Sequence, residues 1–326
     1  MIPEAFPLSP AKSGPGPRLD RAAYCLTLDP GVQSFLDRVV EAGLLPYRPG
    51  LDPAARQGIA ARLQESAAPV ADAVVQVPVP DGDVALRIAW PPGADGKRVP
   101  VVFYLHGGVW ALGGWATHGG AAAALAQACD AALVFVEPGL APAALALRHA
   151  RAALDWVRAH GHELGLDITR VAVVGDGSGC AMAVLLAAGL PPSDGFRAQV
   201  LFHPLVGKAA PDAPATPWLD HGDLAALLPP AFPGQPAWTG LSPLELPPDR
   251  LRRLPPTLIL AAEADLAREG GEALARRMMG ADVETSAIRL MGCIHDFFWL
   301  DGLADTAPSR AAFAVARATL TDAFDR

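Results

Sequence analysis

Short apolar runs alternate with helical patterns along most of this chain. From residue 99 onward, apolar runs typical of buried strands recur, and the first of them are followed by alanine-rich helical patterns. The predicted strands are Val101–Leu105, Ala132–Val136, Val171–Val174, Ala198–Phe202 and Thr257–Ala261, and the predicted helices are Ala121–Ala128, Ala143–Ala159 and Ala181–Ala188. This alternation predicts an α/β fold with a doubly wound, mostly parallel sheet, which binds ligands at the carboxyl ends of its strands.

The first hundred residues follow a different pattern. Helices are predicted at Val32–Glu41 and Pro53–Glu65, and a hairpin is predicted from Val74–Val79 and Val84–Ala89 around the turn at Pro80 to Gly82. We therefore predict an N-terminal tail with cap helices over 1–70 and an α/β core over 71–326. A proline-rich segment at about 206–250 interrupts the core and is predicted to be a small helical cap or lid. Residues 1–18 are predicted to be poorly ordered because Pro, Ser and Gly dominate them.

Composition narrows the class of partner. The chain of 326 residues is 51% hydrophobic and 18% charged, with a formal net charge of −8. That charge argues against nucleic acid or an anionic membrane surface, so a small-molecule substrate is expected, and a homodimer is left open. The four cysteines form no Cys-x-x-Cys pair, no apolar stretch is long enough for a membrane span, and the start does not resemble a secretory signal, which together predict a cytoplasmic protein.

No metal or cofactor is predicted. Several histidines lack metal-like spacing and are interpreted as surface or helix residues, namely His118, His149, His160, His162 and His221.

The segment Gly175-Asp-Gly-Ser-Gly179 lies where a predicted strand meets a predicted helix. A nucleophile elbow has this context and needs small residues two positions before and two after the nucleophile. Centring the turn on Gly177 places Gly175 and Gly179 at those positions, whereas centring it on Ser178 places Asp176 and Cys180 there. The first register is favoured and the second is kept as an alternative. In the first, the nucleophile is replaced by glycine, and Ser178 contributes mainly its backbone amide.

Seven motifs support a family resemblance. They are His106-Gly-Gly-Val-Trp110, Leu140-Ala-Pro142, Gly175-Asp176, Ser242-Pro-Leu244, Leu254-Pro-Pro-Thr257, Ala262-Glu-Ala-Asp265 and Ile294-His-Asp-Phe-Phe298. In order and spacing, over nearly the whole chain, they resemble the hormone-sensitive-lipase-like carboxylesterases of the α/β-hydrolase fold.

The resemblance implies roles for particular residues. Asp265 stands where the family has its triad acid, and His295 stands where it has its general base. A carboxylate bonded to one imidazole nitrogen fixes the tautomer and stabilises the cation that forms when the other nitrogen takes a proton. Gly107 and Gly108 match the amides that bind an oxyanion, joined by the amide of Ser178.

This chain also departs from the family pattern. Val109 replaces the third glycine of the oxyanion motif, Glu137-Pro-Gly139 replaces Asp-Tyr-Arg, and His203 replaces a frequent tyrosine at the end of a strand. A structural role is favoured for His203, although it could line the pocket. The residues predicted to bind substrate are His106, Val109, Trp110, Glu137, His203 and Phe297.

Three functions fit these residues. Loss of the serine from a Ser-His-Asp enzyme costs on the order of 10⁶ in turnover, so a protein with glycine at the nucleophile position is expected to be a very poor esterase. The first hypothesis is a non-hydrolytic enzyme of secondary metabolism, in which His295 abstracts a proton beside a carbonyl during elimination, dehydration, cyclisation or epimerisation. The second is a carboxylesterase with Ser178 as a shifted nucleophile. The third is a non-catalytic binder of small molecules.

Overall fold

One eight-stranded sheet forms the centre of the protein in the computed structural model, which describes residues 26–64, 71–191, 194–211, 213 and 216–326. The strands are β1 Ala73–Val77, β2 Val84–Ala89, β3 Val99–Leu105, β4 Ala132–Glu137, β5 Leu166–Asp176, β6 Gln199–Phe202, β7 Thr257–Ala264 and β8 Thr285–Ile294. Their order across the sheet is β1-β2-β4-β3-β5-β6-β7-β8.

The pairing pattern agrees with the sequence. Strand β2 runs antiparallel to β1 and β4, and every other neighbouring pair is parallel. Both the hairpin and the mostly parallel sheet are therefore confirmed. Strands β3, β6 and β7 are buried along their full length, which explains why they appear in the sequence as unbroken apolar runs.

Helices cover the sheet and form the cap. They are α1 Pro30–Glu41, α2 Pro53–Arg62, α3 Trp115–Gln127, α4 Ala143–His160, α5 Gly179–Ala188, α6 His221–Ala231, α7 Pro248–Leu251, α8 Arg268–Met279 and α9 Ala307–Asp325. Asp29 and Asp52 cap α1 and α2 through their side chains, and each is followed by a proline. Because proline is favoured in the first helical turn, these starts are locally encoded.

Some bounds differ from the prediction. Helix α3 begins at Trp115, six residues before the predicted Ala121, because Gly119 lies directly against the Trp115 ring and packing there outweighs the low helix propensity of glycine. Strand β5 extends beyond the predicted Val171–Val174 at both ends. Elements β8, α8 and α9 were not predicted. Helix α2 ends at Arg62, three residues before the predicted end at Glu65, and Leu63 caps it. The predicted disorder of residues 1–18 lies outside the described residues.

The predicted lid segment contains α6 and α7. Helix α6 begins in a capping box, in which Asp220 and Asp223 each accept a hydrogen bond from the other's backbone N–H. Residues Phe232 and Trp238, after α6, pack edge-on or tilted around Trp110 from the loop after β3. The segment therefore covers the carboxyl end of the sheet. No helix within the described residues is long and apolar enough to cross a bilayer.

Candidate active site

The turn after β5 places Gly177 in a left-handed conformation, with φ +47°. Its N–H donates to the Phe202 carbonyl at 3.0 Å, and its own carbonyl accepts from the Leu205 N–H at 2.9 Å. Backbone hydrogen bonds to the end of β6 therefore fix the turn in position.

Two flanking glycines allow the turn to close. A Cβ on Gly175 would lie 2.8 Å from the Gly179 carbonyl oxygen, and a Cβ on Gly179 would collide with the Leu105 carbonyl. Neither position tolerates a side chain without a backbone shift. The residues that must be small are thus two before and two after Gly177.

The space beside Gly177 faces an imidazole. A Cβ built on Gly177 would lie 3.4 Å from His295 Nε2, 3.6 Å from the Gly107 Cα and 3.8 Å from His203 Nδ1. These are ordinary van der Waals distances, so a side chain would fit. It would point toward the Nε2 atom of His295.

Ser178 lies in the helical region at the start of α5, with φ −69° and ψ −21°. Its side chain is buried, and its Oγ accepts a hydrogen bond from the Val109 N–H at 3.1 Å. Among the described residues, His295 makes no hydrogen bond to this hydroxyl. The Ser178 side chain therefore holds the loop after β3.

The three amides predicted to bind an oxyanion differ in their hydrogen bonds. The Gly107 N–H donates to Asp176 Oδ1 at 3.0 Å, which differs from the expectation that this amide would be available to a ligand. The buried carboxylate of Asp176, one residue before Gly177, accepts the hydrogen bond of this N–H. The N–H groups of Gly108 and Ser178 have no hydrogen-bond acceptor in the described part of the chain. Two of the three predicted amides thus remain available to an oxyanion.

Asp176 sits at the centre of a buried polar group. Besides Gly107, its Oδ1 accepts from the Tyr104 hydroxyl at 2.7 Å, and its Oδ2 lies 3.4 Å from His118 Nε2. Burial by itself would raise the pKa of Asp176, but His118, His203 and the Tyr104 hydrogen bond hold this pKa below its usual value. The side chain is therefore ionised and braces the elbow. His118 lies on helix α3, which agrees with its interpretation as a surface or helix residue, and its side chain is fully buried.

Asp265 and His295 face each other. Asp265 follows β7 and His295 follows β8, and these parallel strands end side by side. Asp265 Oδ2 lies 2.8 Å from His295 Nδ1, while Oδ1 accepts from the Ala267 N–H at 2.8 Å. Both side chains are buried. The pair has the geometry of a carboxylate that orients an imidazole and leaves Nε2 free to act.

A second carboxylate lies on the other side of His295. Asp296 Oδ2 accepts from the Tyr47 hydroxyl and, at 2.9 Å, from Trp218 Nε1. Its Oδ1 lies 3.5 Å from His295 Nε2 and 3.9 Å from His203 Nδ1. His203 is also fully buried, and in the part of the chain that the structure describes neither its ring nitrogens nor Asp296 Oδ1 has a hydrogen-bond partner.

The two imidazoles carry different charges. Burial by itself would lower the pKa of His295, but Asp265 and Asp296 outweigh burial and raise this pKa to about 9. Burial and the neighbouring His295 lower the pKa of His203 well below its usual value. His295 therefore holds a proton near neutral pH, whereas His203 is neutral.

The remaining residues predicted to bind substrate occupy different positions. Phe297 packs edge-on to His203 at 5.2 Å, and Val109 is buried in the loop after β3. The His106 ring stacks on Phe135, and burial lowers the pKa of His106 to about 4. Glu137 differs from the prediction, because its carboxylate binds the Arg87 side chain at 2.6 Å and the Trp115 N–H at 2.8 Å. That residue braces the start of α3.

Residues 102–299 match the family model described as the alpha/beta hydrolase fold. The chain belongs to this family. The matched range contains the elbow, the His295 and Asp265 pair and the loop after β3, so the resemblance inferred from the motifs is confirmed.

Several relatives of this α/β-hydrolase are named esterases. The chain is 29% identical to Esterase LipI of Mycobacterium tuberculosis, over 89% of this chain and 88% of that protein. It is 32% identical to Carboxylesterase NlhH of the same species, over 66% of this chain and 71% of that protein. A thermostable esterase from Pseudomonas putida has a similar structure, with a TM-score of 0.77 and 26% identity over 92% of this chain and 97% of that chain.

Sequence reasoning missed several residues that shape the site of this α/β-hydrolase. Asp296 directly follows His295 in the motif, but no role in the site was predicted for its carboxylate. Tyr47 lies 249 positions before Asp296, and Trp218 lies in the predicted lid. No local pattern indicated these contacts, since they depend on how the cap packs.

Proposed function

We propose that this α/β-hydrolase is an enzyme that acts on a small ester or other carbonyl compound through proton transfer by His295, without an acyl-serine intermediate. The observation that carries the proposal is the 3.4 Å distance from His295 Nε2 to a Cβ built on Gly177. The position that faces the histidine carries no hydroxyl. The nearby hydroxyl of Ser178 is held by the Val109 amide.

The site supports acid and base steps that need no covalent intermediate. Above the His295 pKa of about 9, where Nε2 has lost its proton, transfer of a proton from the carbon beside a carbonyl to His295 would leave an enolate, and the Gly108 and Ser178 amides would stabilise its oxygen. Return of that proton to a leaving oxygen or to carbon would complete an elimination, dehydration, cyclisation or epimerisation. A positioned histidine contributes about 10² to 10⁴ in rate to such steps.

Exchange of substrate hydrogen for deuterium tests this proposal. A panel of small ketones, β-keto esters and aryl esters is incubated with the protein in D₂O, and loss of the α-proton is followed by NMR. We expect exchange in at least one compound, its loss in His295→Gln and its retention within a few-fold in Ser178→Ala. His149→Gln is the matched control, because His149 is a buried histidine of α4, outside the site. Absence of His295-dependent exchange across the panel contradicts the proposal.

A second candidate function is a carboxylesterase in which Ser178 attacks the ester. The relatives named as esterases favour it. For this reaction the Ser178 hydroxyl would have to leave the Val109 amide and approach His295. Aryl-ester hydrolysis with an acyl-enzyme burst that disappears in Ser178→Ala would establish this candidate in place of the first.

A further inference from the structure

Three buried side chains around Gly177 face one another, and two of them, His203 and Asp296, carry unpaired polar atoms within the described residues. We call His203, His295 and Asp296 the inner cluster. One ligand atom from each lies within 4.8 Å of the others, and none of the three side chains is more than 2% exposed. Within the described ranges, the His203 ring nitrogens and Asp296 Oδ1 have no hydrogen-bond partner. Buried polar atoms are ordinarily paired, so these atoms are available to bind a ligand at the cluster.

Two members of the inner cluster are oriented by hydrogen bonds to the atoms that face away from the cluster. Asp265 binds Nδ1 of His295, which leaves Nε2 as the free ring nitrogen. Tyr47 and Trp218 bind Oδ2 of Asp296, which leaves Oδ1 directed at the two imidazoles. Partners of this kind are typical of metal ligands, because they fix the tautomer and direct the lone pair.

The charge around the cluster favours a cation. Asp176, Asp265 and Asp296 are all buried there. In the described part of the chain their ion-pair partners are histidines, with no lysine or arginine among them. His295 supplies one positive charge beside these three carboxylates, and a divalent cation at the cluster would compensate more of their charge.

The distances approach those of a coordination site. Ligand atoms bound to tetrahedral Zn²⁺ at about 2.0–2.1 Å lie about 3.3 Å from each other. The two distances from Asp296 Oδ1, to His295 Nε2 and to His203 Nδ1, are 3.5 and 3.9 Å. All three ligand atoms lie within 4.8 Å of one another, so rotation of the imidazoles would have to bring them together onto one ion.

We propose that His203, His295 and Asp296 bind one divalent transition-metal ion of the Zn²⁺ class. Two imidazoles and one carboxylate suit zinc, cobalt or ferrous ion better than the oxygen-seeking Mg²⁺ or Ca²⁺. The missing side chain of Gly177 leaves a fourth coordination position for a water or a substrate oxygen. Binding displaces the Nε2 proton of His295 to solvent.

This inference goes beyond the proposed function and does not depend on it. An ion on His295 Nε2 occupies the atom that transfers the proton in the metal-free enzyme. In the metal-loaded form, the coordinated water would be the base, because zinc lowers the pKa of a bound water to about 7. The test below measures binding alone, so its outcome is separate from that of the exchange experiment.

Metal titration of the untagged, chelator-treated full chain tests the site. Co²⁺ is added in the absence of substrate and followed by its d–d absorption, and the affinity for Zn²⁺ is measured by competition with a chromophoric chelator. We expect one equivalent of Co²⁺ with the absorption of a four- or five-coordinate ion. His203→Phe and Asp296→Asn should each weaken binding at least about tenfold.

Two comparisons separate this site from other causes of binding. His149→Phe removes another buried histidine whose ring nitrogens lack partners and should leave the affinity unchanged. His203→Tyr is a second variant for the case in which the phenylalanine substitution unfolds the protein, which circular dichroism would reveal. Absence of binding in the wild-type chain, or equal affinity in the wild type and a folded His203 variant, overturns the proposal.

Discussion

Residue 177 is a glycine, so no side chain at this position contacts His295. The left-handed φ of +47° costs an L-residue about 1–2 kcal/mol, whereas glycine adopts it freely. The space beside Gly177 is nevertheless large enough for a side chain, since its nearest neighbours lie 3.4–3.8 Å from a Cβ. Steric crowding therefore does not explain the glycine. With glycine at this position, no side chain from the turn lies beside His295 Nε2.

Asp176 is a residue whose loss we expect to damage the site and the fold together. Asp176→Ala leaves the Tyr104 hydroxyl and the Gly107 amide without their buried acceptor. We expect a loss of about 2–4 kcal/mol in the free energy of unfolding, measured by urea denaturation. Asp176→Asn keeps one acceptor oxygen and should lose only about 1 kcal/mol. Equal losses in the two variants would show that these hydrogen bonds do not hold the elbow.

Ion pairs connect helix α6, in the predicted lid segment, to the segment between α1 and α2. Arg48 contacts Asp220 at 3.0 Å and Asp223 at 2.9 Å, and it also donates to the Pro217 carbonyl. Asp223 has a side chain only 1% exposed, and burial raises its pKa. Arg48 is thus the cation that keeps a buried carboxylate at the start of α6 ionised.

Removal of this cation should destabilise the lid. Arg48→Met leaves the buried Asp223 without its charge partner, and we expect a loss of about 2 kcal/mol in the free energy of unfolding, measured by urea denaturation. Arg151→Met is the matched control. Arg151 pairs with Asp155 along α4 where both side chains are about half exposed, so its loss should be below about 0.5 kcal/mol. Similar losses in both variants would argue against a special role for Arg48.

The elements themselves could largely be predicted from local signals. Helix α4 was predicted at Ala143–Ala159 and spans Ala143–His160, because its pattern is long and free of breakers. Helix α3 was predicted too short because packing of Gly119 on Trp115 is a tertiary effect. Strand β8 was missed because it is an edge strand whose side chains are mostly exposed from Thr285 to Met291, so it lacks an apolar run.

For the whole molecule, the sheet gathers residues that lie far apart in sequence. His295 and Asp265 could be placed together from motifs, because each follows a strand and parallel strands end at one edge. Tyr47 and Trp218 could not, since their contacts with Asp296 depend on how the cap closes over the sheet. The pairing of His295 with Asp265 could therefore be predicted from the sequence. The contacts of Tyr47 and Trp218 with Asp296, which orient the inner cluster, could not.

We infer that Gly177 occupies the nucleophile position and that no serine serves His295 in this protein. Labelling of the Gly177→Ser variant with a fluorophosphonate probe tests it most directly, with the modified peptide mapped by mass spectrometry. We predict no labelling of the wild type, labelling of Gly177→Ser at position 177, and loss of that labelling when His295→Gln is added. Labelling of the wild type that disappears in Ser178→Ala would contradict the assignment of Gly177 to the nucleophile position.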